Sequence, residues 1–362
     1  TDTPGGFGMF EPLITPDGEH VVFRAGYDFQ GSNPDFLFEL FEVEVATGQV
    51  QQITYNPPGV AVFEPKMSGN AEWIAYRMSG NPLGTNPEHN YEIFRVHRTS
   101  GVVEQLTFTT TLLNEEPSIS HDGSRVAFMS RTDFDGSNPN GNVEIWIWDE
   151  DEGISHVTST PMLQGSASPS IDADGRFVAF LSRYDFTGEN PGSTEEIYVV
   201  DTFTDDVRQL TVPGTLLHLE PVMSPAGQYV VFDSQRDPLG MNEEHNREVF
   251  YYDLGRNQLE QLTDTTRGAS ITQLSERAQT NYATVANDGG TFVIRNEHSL
   301  DGRNEGFNLE LFCAFMPAPT PDLDGDGDVD GADLGILLAA WGTEDAFSDL
   351  NGDGAVDGED MG

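Results

Sequence analysis

The 362-residue chain contains a single cysteine, Cys313, so no intrachain disulfide can form. Small secreted domains depend on disulfides, whereas a chain of this length can bury enough apolar surface without them. Cys313 lies in an apolar strand and is expected to be a buried filler. Positive charge is scarce: 17 Lys and Arg stand against 61 Asp and Glu, a net charge of −44. That balance excludes nucleic acid and anionic membrane surfaces as partners, because both require clustered Lys and Arg. Such an anion suits cation-rich surroundings, where salt screens self-repulsion and divalent ions bind. Long apolar runs are absent too. The longest, Ile336–Trp341, is far below the ~18–20 residues of a membrane span. No Gly-x-Ser-x-Gly elbow, His-Glu-x-x-His pair or phosphate-binding glycine loop occurs. The eight histidines are scattered; His218 and His298 fall outside the repeat described below and have no nucleophile or spaced ligand beside them. The chain starts at Thr1 without Met or a leader, which suggests a removed leader or a fragment. Even so, 10% aromatics and 23 Phe are not the composition of a disordered chain.

What the chain does have is a repeat. Glu11-Pro12, Glu64-Pro65, Glu116-Pro117, Ser168-Pro169 and Glu220-Pro221 recur with prolines 53, 52, 52 and 52 residues apart. A glycine turn such as Asp122-Gly123 usually follows, then a short apolar strand such as Val126-Ala127-Phe128. A polar loop comes next, six times: 28–41, 81–94, 133–146, 185–198, 237–250 and 299–312. Its frame is an Asx residue first, Gly fourth, Asn sixth, often Asn tenth and Glu twelfth. Each unit closes on a thread such as Gln105-Leu106-Thr107. Four short strands per unit, apolar on both faces as in Glu144-Ile145-Trp146-Ile147-Trp148, predict sheets stacked face to face. A repeat of ~50 residues of this kind predicts an all-β, six-bladed propeller of four-stranded blades. No 3.6-residue stripe in 1–316 supports a helical solenoid.

Pro117-Ser118-Ile119-Ser120-His121-Asp122-Gly123-Ser124-Arg125-Val126-Ala127-Phe128, Glu144-Ile145-Trp146 and the Leu-Thr endings resemble the TolB-like propeller family, over residues 1 to about 316. Propellers of this family serve binding, enzymes and scaffolds alike, so the resemblance implies a fold and not a function. The sixth unit departs from the pattern. Thr263 to Ser299 spans 36 residues, against 26 from Thr107 to Asp133, and the Glu-Pro pair is replaced. Its third strand, near Glu310–Met316, runs into a proline linker, so its fourth strand is expected to come from upstream residues, another copy or another segment. An open blade is a template for strand addition.

Residues 317–321 form the proline-rich linker to a tail, 322–362. Two twelve-residue loops there match a calcium loop of EF-hand type. The first offers Asp322, Asp324, Asp326, the carbonyl of Asp328, and Asp333. The second offers Asp349, Asn351, Asp353, the carbonyl of Ala355, and Asp360. Val329 and Val356 would pair the loops, and Leu334, Leu337, Leu338 and Trp341 would form the apolar face of the helix after the first loop. The tail resembles a type I dockerin, lacking the second helix. That resemblance implies a cohesin-like partner, although Gly331-Ala332 and Gly358-Glu359 replace the hydroxylated residues usual at the partner-choosing positions.

The blade loops present oxygens in a similar order. Calcium is one expectation there; the alternative is Asx turns and strand caps. The candidate ligands are Asp28, Asn33 and Glu39; Asn81, Asn86, Asn90 and Glu92; Asp133, Asp135, Asn138, Asn142 and Glu144. The later loops add Asp185, Asn190 and Glu196; Asp237, Asn242, Asn246 and Glu248; and Asp301, Asn304, Asn308 and Glu310. The third and fifth loops are the most complete. Glu11, Glu64, Glu116 and Glu220 would either ring one channel mouth and attract a cation, or accept N–H groups of neighbouring blades.

The functional expectation is a non-catalytic, calcium-binding extracellular scaffold of bacterial origin. It would self-associate into oligomers or filaments through the open sixth blade, the tail, or both. Two other readings stand beside it: a glycan- or protein-binding propeller docked through its tail, and a polysaccharide lyase or hydrolase.

Overall fold

The computed structural model describes residues 9–29, 31–110, 113–161, 164–216 and 218–264, the strands 283–285, 291–296 and 310–315, and 331–343, 356 and 358. Five four-stranded antiparallel sheets and one three-stranded sheet make up a propeller-like fold. Sheet one holds β1 (Met9–Ile14), β2 (His20–Ala25), β3 (Glu39–Glu44) and β4 (Val50–Gln52). Sheet two holds β5 (Val62–Met67), β6 (Trp73–Met78), β7 (Glu92–His97) and β8 (Val103–Gln105). Sheet three holds β9 (Asn114–Ile119), β10 (Arg125–Ser130), β11 (Glu144–Asp149) and β12 (Gly153–His156). Sheet four holds β13 (Ser166–Ile171), β14 (Phe177–Ser182), β15 (Glu196–Asp201) and β16 (Asp206–Gln209). Sheet five holds β17 (His218–Met223), β18 (Tyr229–Ser234), β19 (Glu248–Asp253) and β20 (Gln258–Gln261). The three-stranded sheet is β21 (Ala283–Val285), β22 (Thr291–Asn296) and β23 (Glu310–Phe315). One helix, α1 (Gly331–Ala339), follows.

The chain divides into two compact units. The first is Thr1–Thr194 with Tyr198–Gln209; the second is Glu195–Ile197 with Leu210–Gly362. In the first unit the middle strands are buried on both faces, which is why they read as continuous apolar runs. Val62, Ile74, Tyr76 and Phe94 pack with Val22 and Leu40 between sheets one and two. Ala75, Ile93, Phe128 and Trp146 fill the next layer, and Ile145, Val178, Phe180 and Tyr198 the one after. First strands of successive sheets lie against one another, so they are the innermost strands of this unit.

The Glu-Pro pair has a backbone cause. Glu11, Glu64, Glu116, Ser168 and Glu220 all sit at φ between 44° and 54°, in the left-handed region. Each marks a register shift in its first strand, for example between Phe63 and Lys66. Proline cannot donate to the ladder, and a bulge is where a strand tolerates that loss.

Two packing expectations are corrected. Cys313 is exposed; it lies on β23, which among the described residues has a strand neighbour on one side only. Of the four expected apolar residues only Leu337 is buried, packed on Val356; Leu334 and Leu338 on α1, and Trp341 just beyond it, are exposed. Val356 instead closes a small backbone pairing: Gly342 donates to the Val356 carbonyl at 2.8 Å, and Val356 donates to that of Thr343 at 2.9 Å. Val329 lies outside the described residues.

Candidate functional site

The polar loops of the first five sheets share one hydrogen-bond plan. The first residue's Oδ1 accepts the N–H of the sixth: Asp28 from Asn33 at 3.1 Å, Asn81 from Asn86 at 2.7 Å, Asp133 from Asn138 at 3.0 Å, Asp185 from Asn190 at 2.9 Å and Asp237 from Asn242 at 2.8 Å. The sixth residue, buried, donates its Nδ2 to the tenth carbonyl, as Asn138 does to Asn142 at 2.9 Å and Asn190 to Thr194 at 2.7 Å. The fourth-place glycine is left-handed in each of these five loops, with φ 92° at Gly136. The ninth place is left-handed too, yet holds Phe36, His89, Gly141, Ser193 and His245. His89 and His245 are thus the same turn position.

The twelfth-place glutamates, Glu39, Glu92, Glu144, Glu196 and Glu248, are buried. Each accepts a hydroxyl from the threonine that ends its unit: Thr54 at 2.5 Å, Thr107 at 2.5 Å, Thr158 at 2.6 Å, Thr211 at 2.7 Å and Thr263 at 2.5 Å. The same threonine oxygens accept the N–H of the thirteenth residue, as from Ile93 at 2.8 Å. The Leu-Thr ending therefore clamps the third strand to the fourth. Burial pushes Glu39 up to about 7 and raises Glu92. Asn90 and Asn246 donate onto Glu92 and Glu248, and Asn142 onto the Thr160 and Pro161 carbonyls. Asp135 accepts from Ser137 and pairs with His156 at 2.7 Å, and Asp135 is held down to about 2 despite partial desolvation.

Among the described residues no group of three or more His, Cys, Asp or Glu is placed to hold a metal ion. Of the remaining candidates, Asp301, Asn304 and Asn308 lie outside the described residues. So do Asp322, Asp324, Asp326, Asp328, Asp349, Asn351, Asp353, Ala355 and Asp360. Glu310 opens β23, and Asp333 is buried on α1.

A second set of residues does not repeat. On the inner strands, the residue before the bulge faces one on the second strand: Phe10 opposite Arg24, Phe63 opposite Arg77, Glu115 opposite Met129, Ala167 opposite Leu181, and Leu219 opposite Asp233. In sheets one and two this column is an aromatic and guanidinium ladder. The Arg24 guanidinium lies 4.8 Å from the Phe38 ring, 5.6 Å from Phe10 and 5.1 Å from Phe63. The Arg77 guanidinium lies 5.6 Å from Phe63 and 4.9 Å from Tyr91. Arg24 Nε pairs with Glu11 at 2.7 Å; Arg77 pairs with Glu64 at 3.0 Å and with Glu115.

Sheet three has Met129 where sheets one and two have Arg, and Glu116 has no ion-pair partner among the described residues. Glu64 accepts the Glu116 N–H at 2.9 Å, and Glu116 accepts the Ser168 N–H at 2.9 Å. Neighbour-to-neighbour bonding, rather than a free carboxylate ring, is what these two glutamates do. Burial and the nearby Glu64 charge raise the Glu116 carboxyl above its ordinary range.

In the second unit, Arg236 holds Glu196 through Nη1 at 2.8 and 2.7 Å, and His218 Nε2 stands 3.5 Å from Glu196. Burial lowers the His218 pKa. The histidine without a visible partner in the sequence thus has one in space. The signal for both sets was present in the sequence: columns of the repeat where one copy breaks the pattern.

The sequence matches no known protein family and no curated protein. Solved structures do share the fold. An oligogalacturonate lyase in complex with manganese is 14% identical at a TM-score of 0.59, covering 87% of this chain and 78% of that one. A prolyl endopeptidase is 12% identical at 0.53, covering 88% of this chain and 43% of that one. A puromycin-hydrolyzing peptidase of Mycobacterium tuberculosis is 14% identical at 0.51, covering 82% and 43%. At these identities the likeness is one of fold. These fold neighbours are enzymes, which counts against the expectations of a non-catalytic scaffold and of a chain that is not an enzyme. The lyase's manganese gives a divalent metal a precedent on this fold, but the described residues do not offer a matching donor set.

Proposed function

We propose that the chain is a polysaccharide-cleaving enzyme, a lyase or hydrolase, working at the inner rim of its first unit. The observation that carries this is coverage. The likeness spans 78% of the lyase chain but 43% of each peptidase chain. A saccharide-cleaving protein made mostly of this fold therefore has a precedent, whereas each peptidase has most of its length elsewhere. Glycosidic cleavage needs a group that trades a proton near the working pH. Glu116 fits that role: half-buried, raised, without a cation, and oriented by Ser168.

The test is depolymerisation of neutral, amino-sugar and uronate polysaccharides by the full chain. A lyase leaves an unsaturated, ultraviolet-absorbing end and a hydrolase a reducing end alone. Glu116→Gln is expected to lower turnover ~100-fold or more with an unchanged melt. If no polysaccharide in the panel is cleaved, the reading fails.

The proposal extends to the remainder of the chain. β21–β23 would be the sixth blade, and the tail would be a dockerin-like module that folds on calcium outside the cell and docks to a cohesin-like partner. Calcium titration of the full chain, followed by amide protection in 322–360, tests this; protection that ignores calcium would remove the tail assignment.

A further inference from the structure

The residue at the bulge of each first strand decides what Glu116 meets. Sheets one, two, three and five place glutamate there, whereas sheet four places Ser168. Backbone shape does not explain the break: Ser168 sits at φ 54° and the glutamates between 44° and 54°. Two of these carboxyls reach the bulge 52 residues on, Glu64 accepting the Glu116 N–H and Glu116 the Ser168 N–H, both at 2.9 Å.

The two flanks of Glu116 therefore differ in charge. On the β5 side stands the Glu64 carboxylate, and Arg77 holds both it and Glu115, the neighbour of Glu116 on β9. Lys66, further along β5, is exposed, and the single charged residue of β10, Arg125, pairs with Asp149. On the other side β13 reads Ser166-Ala167-Ser168-Pro169-Ser170-Ile171, without a charge. Burial and the Glu64 charge push the Glu116 carboxyl up, while the Ser168 N–H and hydroxyl pull against them. Glutamate at 168 would exchange that hydroxyl for a second like charge, which disfavours ionisation further.

We infer that Ser168 is a positioning residue: as the break in the glutamate column of these five sheets, it gives Glu116 a neutral donor on one flank and keeps that carboxyl able to trade a proton. Its use in catalysis rests on the enzyme reading above, but the carboxyl is measured apart from turnover, so each can fail alone.

The experiment is an infrared pH titration of the full chain, with the Glu116 band isolated by difference from Glu116→Gln. Ser168→Glu should raise the Glu116 midpoint by about one pH unit and Ser168→Ala by about half a pH unit. Four other sheets carry glutamate at this place, so Ser168→Glu is expected to fold with an unchanged melt. Ser168→Asn keeps a donor and suits the left-handed backbone, and should hold the native midpoint. On any polysaccharide that is cleaved, the limb of the pH–rate profile set by Glu116 should move with the midpoint. The inference is overturned if Ser168→Ala leaves the midpoint in place, if Ser168→Glu lowers it, or if Ser168→Asn moves it as far as Ser168→Ala does. Midpoints that shift as stated in a chain that cleaves nothing would sink the enzyme reading and leave the hold of Ser168 on Glu116 standing.

Discussion

The glutamate–threonine clamp and the inner column are built on the same sheets but follow opposite rules. The clamp repeats in all five four-stranded sheets with the same donors at nearly the same distances. The column holds Arg, Arg, Met, Leu and Asp at one equivalent place. A buried carboxylate tolerates no change, since an unmet hydrogen bond in the interior costs more than a met one returns. A position at the rim is released from that constraint and is free to carry chemistry. Repetition in this molecule marks what the fold needs, and its breaks mark what the fold leaves over.

Substitution can break that contrast, and the largest effect is expected at the clamp. Glu144→Ala strands the hydroxyls of Thr158 and Thr160 and the Thr160 N–H, and should cost about 3 kcal/mol in a denaturant melt. A loss below about 1 kcal/mol would mean that the clamp is ornamental. Phe63→Ala, in the column, should cost less stability than Glu144→Ala; equal stability loss at both would erase the distinction.

A pH series sharpens it further. The folded carboxyls of Glu39 and Asp172 are raised to about 7 from ordinary values of 4.5 and 3.8, and Asp233 to about 8 from 3.8. Desolvation is the leading cause in each. The folded chain holds these protons more tightly than the unfolded one, so their stabilising share is complete below about pH 4 and is lost as pH rises towards 8. The melting temperature should fall across that window, and Asp172→Asn should flatten the fall; a slope unchanged in that variant would assign it elsewhere. The smallest effect concerns the loop turns. Gly188→Ala, at φ 86°, should cost about 1 kcal/mol, whereas Ser193→Gly, at φ 49°, should be near neutral, because the ninth place already accepts side chains.

Much of the fold was legible because a propeller is periodic. The 52-residue step of the prolines, the paired apolar strands and the loop frame each locate a strand end within a residue or two. The candidate site was less so. The loop oxygens looked like ligands because Asp, Asn and Glu are what a hard cation wants; they are also what a tight turn and a buried strand cap want. Spacing alone does not separate those uses. Asp28 and Asn33, or Glu92 and Thr107, show their roles only through the atom each one faces.

By itself the sequence determined the all-β repeat, the left-handed glycines of the loops and the scarcity of cations, because these follow from local backbone preference and composition. Only the tertiary structure decided that Thr107 closes on Glu92, that Glu116 bonds Ser168 and meets no cation among the described residues, and that Phe63 lies between Arg24 and Arg77. Those pairs join residues from 14 to 52 positions apart. Their energies depend on burial and on direction, which exist only after neighbouring sheets have packed.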